Sequence, residues 1–144
     1  MKENNLVIHT DGGARGNPGP AGIGVLIEKV DNEHDILSTT KVVEFGEKIG
    51  ETTNNVAEYS AVVKALEYLL ENKIFNNNIE VFIDSTLVVN QVNGLFKVKN
   101  TSLREFLTKI RILEGQLSSN IKYTYIPREE NSKADLLVNK ALDS

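Results

Sequence analysis

Cysteine is absent from all 144 residues. That removes disulfides, zinc–thiolate sites and thiol nucleophiles together. Long apolar runs are missing too, and none approaches the roughly 18–20 residues that a membrane span needs. No membrane partner is expected. The opening stretch MKENNLVIHT lacks the apolar core of a secretory signal, so the expected setting is cytoplasmic. Prolines number three, Pro18, Pro20 and Pro127, and no Pro-rich linker, repeat or low-complexity tract divides the chain. The length suits one domain over residues 1–144, and a monomer is expected.

Excess positive charge is also lacking. There are 16 Lys+Arg against 20 Asp+Glu, a net charge of −4. Phosphate contacts want a basic surface, so this total argues against nucleic-acid binding unless several acids are occupied in holding cations. Hydrophobic residues at 40% and charged residues at 25% lie near globular norms and exclude global disorder.

What is present is a clear order of periodic segments. Residues 5–10 (NLVIHT) read as a strand ending at Asp11, and GGARGNPGPAG (12–22) as a tight loop. Residues 23–30 place Ile23, Val25 and Ile27 on one strand face. The DNEHD turn leads to a partner strand over 36–46. From Asn55 the period changes: Val56, Tyr59, Val63, Leu66 and Leu70 mark an amphipathic helix of about four turns. IEVFID (79–84) is a strand, TLVVNQVNG a short helix stopped at Gly94. A second long helix opens at Ser102, with Glu105 as a capping-box partner. Its stripe is Leu103, Phe106, Leu107, Ile110, Leu113 and Leu117. IKYTYI (121–126) is a strand, PREENSK a loop, and Ala134, Leu137, Val138, Ala141 and Leu142 line a closing helix. The order βββαβααβα predicts an α/β fold with one mixed five-stranded sheet, antiparallel first and parallel later, packed by helices.

Four acids stand out. Asp11 and Asp84 end apolar strands, where open α/β sheets place their sites; each alone also fits an Asx turn. Glu58 lies in the expected first turn of the long helix and Asp135 in that of the last. Each also fits a capping box, Asn55 with Glu58 and Ser132 with Asp135. Together, two strand-end aspartates and two helix-start acids can meet above one sheet edge. Such a cluster repels itself at low dielectric and needs protons or cations. An all-oxygen donor set selects a hard ion, Mg²⁺ or Mn²⁺. Two ions about 4 Å apart suit in-line displacement at a phosphodiester, and their charge would offset about four acids.

The motifs TDGGARGNPGPAG, TTNNVAEYSAVVKALE, IDSTLVVNQVNG and IPREENSKADLLVNKAL resemble those of type 1 ribonuclease H, in order and over nearly the whole chain. The resemblance implies the ribonuclease H-like fold and endonucleolytic hydrolysis of the RNA strand of RNA–DNA hybrids. Asp11, Glu58, Asp84 and Asp135 would be catalytic and hold two Mg²⁺ ions. One ion would activate water and the other stabilise the leaving 3′ oxygen, giving 5′-phosphate and 3′-hydroxyl ends. Gly16 and Asn17 match positions that touch the RNA minor groove. Asn54 and Asn55 match the asparagines that straddle the hybrid, and Thr53 the threonine of the DNA-phosphate pocket. Thr86 sits where relatives often carry glutamine. A simple turn over 12–22 and helix capping over 53–55 account for the same residues without substrate.

Two departures stand against that pattern. The basic, tryptophan-containing protrusion is missing: Gly94-Leu95-Phe96-Lys97-Val98-Lys99 runs almost directly into the next helix, which implies weaker hybrid binding. The loop before Asp135 has no histidine. His9 lies two residues from Asp11 on the same strand face and reads as a packed strand residue, and His34 as a surface turn residue. Three other classes fit parts of the pattern. They are a structure-selective nuclease or integrase-like transferase, a hybrid-binding module without catalysis, and a Mg²⁺-dependent phosphatase or nucleotide hydrolase. The four-acid set and the asparagine pair favour the ribonuclease.

Overall fold

A computed structural model describes residues 5–32 and 35–144. Residue 33 and His34, within the expected DNEHD turn, lie outside the described residues. The chain forms β1 (Asn5–Ala14), β2 (Gly19–Asn32), β3 (Asp35–Thr52), α1 (Asn54–Glu71), β4 (Asn78–Ile83), α2 (Thr86–Val92), α3 (Thr101–Leu117), β5 (Asn120–Tyr125) and α4 (Ser132–Asp143), with a 3₁₀ turn at Arg128–Glu130 before α4. One five-stranded sheet runs in the order β3-β2-β1-β4-β5. β1 pairs antiparallel with β2, and β2 with β3, while β1–β4 and β4–β5 are parallel. Parallel neighbours need crossovers, which α1 supplies for β4, and α2 with α3 for β5.

The alternation of β1 sets the core. Ile8 faces Ile27 on one side and Val81 on the other, and all three are fully buried. Tyr59, Val62, Leu66 and Leu69 of α1 and Leu103, Ile110, Leu113 and Leu117 of α3 cover this face. Each fully buried aliphatic side chain contributes about 1.5–3 kcal/mol relative to exposure. Tyr59 keeps its polar tip satisfied by donating to Gln91 Oε1 at 2.7 Å.

The other face receives α4. A Cβ on Gly24 would lie 2.3 Å from the Ala134 carbonyl oxygen. The bare strand therefore lets the first turn of α4, which carries Asp135, rest directly on the sheet.

Several boundaries differ from the sequence reading. β1 continues past Asp11, because Gly12, Gly13 and Ala14 pair with Ile23, Gly22 and Ala21 of β2. The glycine-rich loop thereby contracts to residues 15–18. Helix α1 is capped by Thr53, whose Oγ1 accepts from Val56 N at 3.3 Å, not by Asn55. Its first turn holds no acid, so Glu58 lies one turn in and is not a cap. Asn100 caps α3, its Oδ1 accepting from Leu103 N at 3.1 Å, in place of Ser102. Helix α4 follows Asn131 with no side-chain cap, so Ser132 and Asp135 form no capping box.

Candidate metal centre and nucleic-acid cleft

Three of the four acids converge where β1, β4 and α1 meet. One carboxylate oxygen from each of Asp11, Glu58 and Asp84 lies within 4.8 Å of the others. Asp11 sits on β1 opposite Gly24, and Asp84 directly follows β4. Glu58 is delivered by the close approach of α1 to β1. A Cβ on Gly12 would fall 2.3 Å from the Ala57 carbonyl carbon and oxygen, a distance that only glycine permits. Asp135 stands outside this triad, on the first turn of α4, but close enough that its charge acts on Asp11.

The electrostatics are those of a crowded acid site. Asp11 and Glu58 are 2% and 6% exposed. Burial, then the neighbouring Asp84 carboxylate, pushes Asp11 up to about 7. Burial, then the charges of Asp11 and Asp84, holds Glu58 well above the usual carboxylate range. Gly12 N donates to Asp11 Oδ1 at 2.9 Å, while Glu58 Oε2 is buried without a partner. A buried carboxylate oxygen without a hydrogen-bond partner, on a member of an all-oxygen cluster, fits a hard divalent cation.

One residue in this centre escaped the sequence reading. Asn131, 1% exposed, donates from Nδ2 to Thr10 O and to Asp84 Oδ2, each at 2.9 Å. Its own carbonyl accepts from Asp135 N at 3.1 Å. It therefore ties together the end of β1, the Asp84 side chain and the start of α4. Nothing in sequence distinguishes this asparagine from a loop residue except its place one residue before the last helix.

Around the triad lies an open cleft of about 360 Å³. Asn54, Asn55, Thr86, Tyr125 and Arg128 line it together with Glu58 and Asp84. Gly16 and Asn17 lie in the neighbouring loop, exposed. Asn17 Oδ1 accepts from Asn54 N at 3.0 Å, and Asn54 Oδ1 accepts from Ala14 N at 2.8 Å. Thr53 precedes them as the cap of α1. The structure thus joins Gly16, Asn17, Thr53, Asn54 and Asn55 in one ridge beside the acids. Thr86 opens α2 and lines the same cleft. Tyr125 and Arg128 are cleft residues that periodicity could not flag, since both lie at the exposed end of β5 and beyond it. His9 is half-buried and stacks on Phe82, ring centroids 5.1 Å apart. It lines a separate pocket with Glu28 and Lys133.

Comparison with known proteins agrees with this arrangement. Residues 9–141 match the family described as reverse transcriptase-like. The chain is 46% identical to LC11-RNase H1, solved in complex with an RNA/DNA hybrid, with a TM-score of 0.85 and 96% of each chain covered. It is 30% identical to ribonuclease H of Ruthia magnifica, covering 97% of both proteins. It is 38% identical to the bifunctional protein Rv2228c of Mycobacterium tuberculosis, covering 96% of this chain but 36% of that protein. The chain thus spans about a third of the length of that relative. It belongs to the ribonuclease H family, in its type 1 branch. No helix among the described residues is long and apolar enough to cross a membrane.

Proposed function

We propose that this chain, as one ribonuclease H domain, hydrolyses the RNA strand of RNA–DNA hybrids internally, leaving 5′-phosphate and 3′-hydroxyl ends. The observation that carries the reading is the buried triad of Asp11, Glu58 and Asp84 within 4.8 Å, with Asp135 beside it. These four acids would hold two Mg²⁺ ions, with Mn²⁺ as a substitute. When bound, the ions supply positive charge for the attacking and leaving oxygens of an in-line displacement at phosphorus.

The chain's own residues do the rest. Asn131 fixes the Asp84 carboxylate in place. Asn17 and Asn54 spend their side-chain oxygens on local N–H groups. Each amide keeps its Nδ2 hydrogens for another acceptor. Those donors suit the acceptors of a minor groove and the oxygen of a 2′-hydroxyl, the group that marks RNA. Gly16 lets backbone approach the same groove, Asn55 adds a third amide, and Thr53 and Thr86 offer hydroxyls to the DNA side. The hybrid-bound LC11 relative supports the substrate class.

End-labelled RNA–DNA, RNA–RNA and DNA–DNA duplexes, incubated with and without Mg²⁺ or Mn²⁺, test the reading. Internal metal-dependent cuts in the RNA strand of the hybrid alone are expected. Hybrid binding without cutting, cleavage of the DNA strand, or laddering from one end would overturn it.

A further inference from the structure

Asp135 is the acid that the triad leaves out, and its surroundings differ from those of the other three. It is half-exposed, and its carboxylate meets a side chain one turn further along α4. Asn139 Nδ2 donates to the Asp135 carbonyl at 3.1 Å and reaches Asp135 Oδ2 at 3.4 Å. Asn139 Oδ1 in turn accepts from Arg15 Nη2 at 3.3 Å. Arg15 is anchored by its other nitrogen, Nη1, on Asp143 Oδ1 at 2.6 Å. The order of donors is forced. A guanidinium can only donate, so it takes the amide oxygen and leaves the amide nitrogen for Asp135.

The consequence is a relay that begins in the loop beside Gly16 and ends on an acid of the metal centre. Arg15 turns the Asn139 amide, and the turned amide presents hydrogen to Asp135 Oδ2. Groups that orient a metal-binding carboxylate govern metal affinity without touching the metal. We propose that Asn139, oriented by Arg15, is a positioning residue for Asp135 and sets how tightly the divalent cation that Asp135 helps to hold is bound. This rests on the reading of the four acids as a two-metal centre. The relay also gives Arg15 a task other than phosphate contact: its guanidinium is committed to α4.

Both side chains are exposed, so substitutions there leave the core intact. Calorimetric titration of the whole chain with Mn²⁺ separates the possibilities, alongside melting in EDTA and hydrolysis across a Mn²⁺ series. For Asn139→Ala and Asn139→Leu, one of the two Mn²⁺ affinities should fall about tenfold, the low end for an outer-shell partner. The other affinity and the EDTA melting temperature should change little. Half-maximal activity should shift to higher Mn²⁺, while the hybrid KM at saturating Mn²⁺ stays put. Arg15→Leu should reproduce the metal shift in part. Asp143→Asn, which keeps an acceptor for Arg15, should match the unmodified chain.

Two bound Mn²⁺ with unchanged affinities in both Asn139 variants would overturn the relay while leaving the two-metal reading intact. A lowered melting temperature without a metal shift would mark Asn139 as merely structural and overturn it equally. Absence of Mn²⁺ binding by the unmodified chain would instead overturn the two-metal reading, and the relay with it.

Discussion

Asn131 donates to Asp84 Oδ2 at 2.9 Å from a position where it is 1% exposed. The same amide nitrogen donates to Thr10 O, one residue before Asp11. A single buried side chain thus sets the spacing of two acids that arrive on neighbouring parallel strands. Replacing it with alanine leaves Thr10 O without its partner and Asp84 free to rotate. Asn131→Ala should lose about 1–3 kcal/mol of stability, the cost of an unsatisfied buried group. Hydrolysis should fall about 10–100-fold, the range for outer-shell partners of a metal ligand. Chemical denaturation and steady-state rates at saturating Mg²⁺ check both. Unchanged rates in a destabilised protein would confine Asn131 to folding.

The acid cluster makes a prediction about pH. Asp11 binds its proton more tightly folded, at about 7, than at its ordinary value of 3.8. Between those two values the folded chain holds more protons than the unfolded one, so stability falls as pH rises. The contribution is fully present below 3.8 and is lost above about 7. Glu58, also raised, acts with the same sign. In EDTA the melting temperature should therefore drop between pH 4 and 7, and millimolar Mg²⁺ should recover part of the loss at neutral pH. Asp11→Asn should flatten the profile, raise metal-free stability at pH 7, and abolish most hydrolysis. Asp84→Asn should abolish hydrolysis as well. A melting temperature that rises with pH in EDTA would contradict the assignment, as would near-normal activity in either variant.

Gly12 has its own prediction. Its absent Cβ is what lets Ala57 approach, and the obstacle is backbone, which cannot rotate away. Gly12→Ala should push α1 off β1 and carry Glu58 away from Asp11. Overpacking of this kind costs about 1–3 kcal/mol, and more where backbone must move. Activity should fall further than the stability loss accounts for. A folded Gly12→Ala protein with ordinary kinetics would show that the approach of α1 is not what places Glu58.

Comparison of these sites with the sequence shows which information is local. The βββαβααβα order was legible because periodicity changes sharply, from alternation in IGVLIEKV to 3–4 spacing after Asn55. The convergence of Asp11 and Asp84 followed from their place at the ends of apolar strands. The extension of β1 through Gly12–Ala14 was not legible. Glycines there lack β propensity, and pairing with β2 overrides it. The caps differ by one or two residues because Thr53, Asn54 and Asn55 all offer cap oxygens, as do Asn100 and Ser102, and local sequence does not say which of them starts the helix. Asn131 was invisible for a different reason. Its role depends on two partners, at positions 10 and 84, that no local pattern connects.

The last prediction concerns hybrid affinity. Binding to a nucleic-acid backbone strengthens with each phosphate neutralised, and log K falls with log salt by about 0.9 per contact on duplex DNA. This chain has a net charge of −4 and only Lys97 and Lys99 between α2 and α3. Both are exposed, and neither pairs with a carboxylate among the described residues. Three of the four arginines are already engaged. Arg15 binds Asp143, Arg104 donates from Nε to Val98 O at 2.8 Å, and Arg111 binds Glu114. Arg128, at the cleft, adds one more. Weak hybrid binding with a shallow salt slope is expected. Changing Lys97 and Lys99 together to alanine should lower that slope by up to about 2 and raise KM, with kcat at saturating hybrid nearly unchanged. Titration of hybrid against the Asp11→Asn protein over a salt series measures the slope without turnover. Tight binding with a steep slope would mean a basic surface beyond Lys97 and Lys99, to which Arg15 or Arg104 would contribute by leaving its present partner. That would show as a loss of slope in Arg15→Leu or Arg104→Leu rather than in the lysine pair.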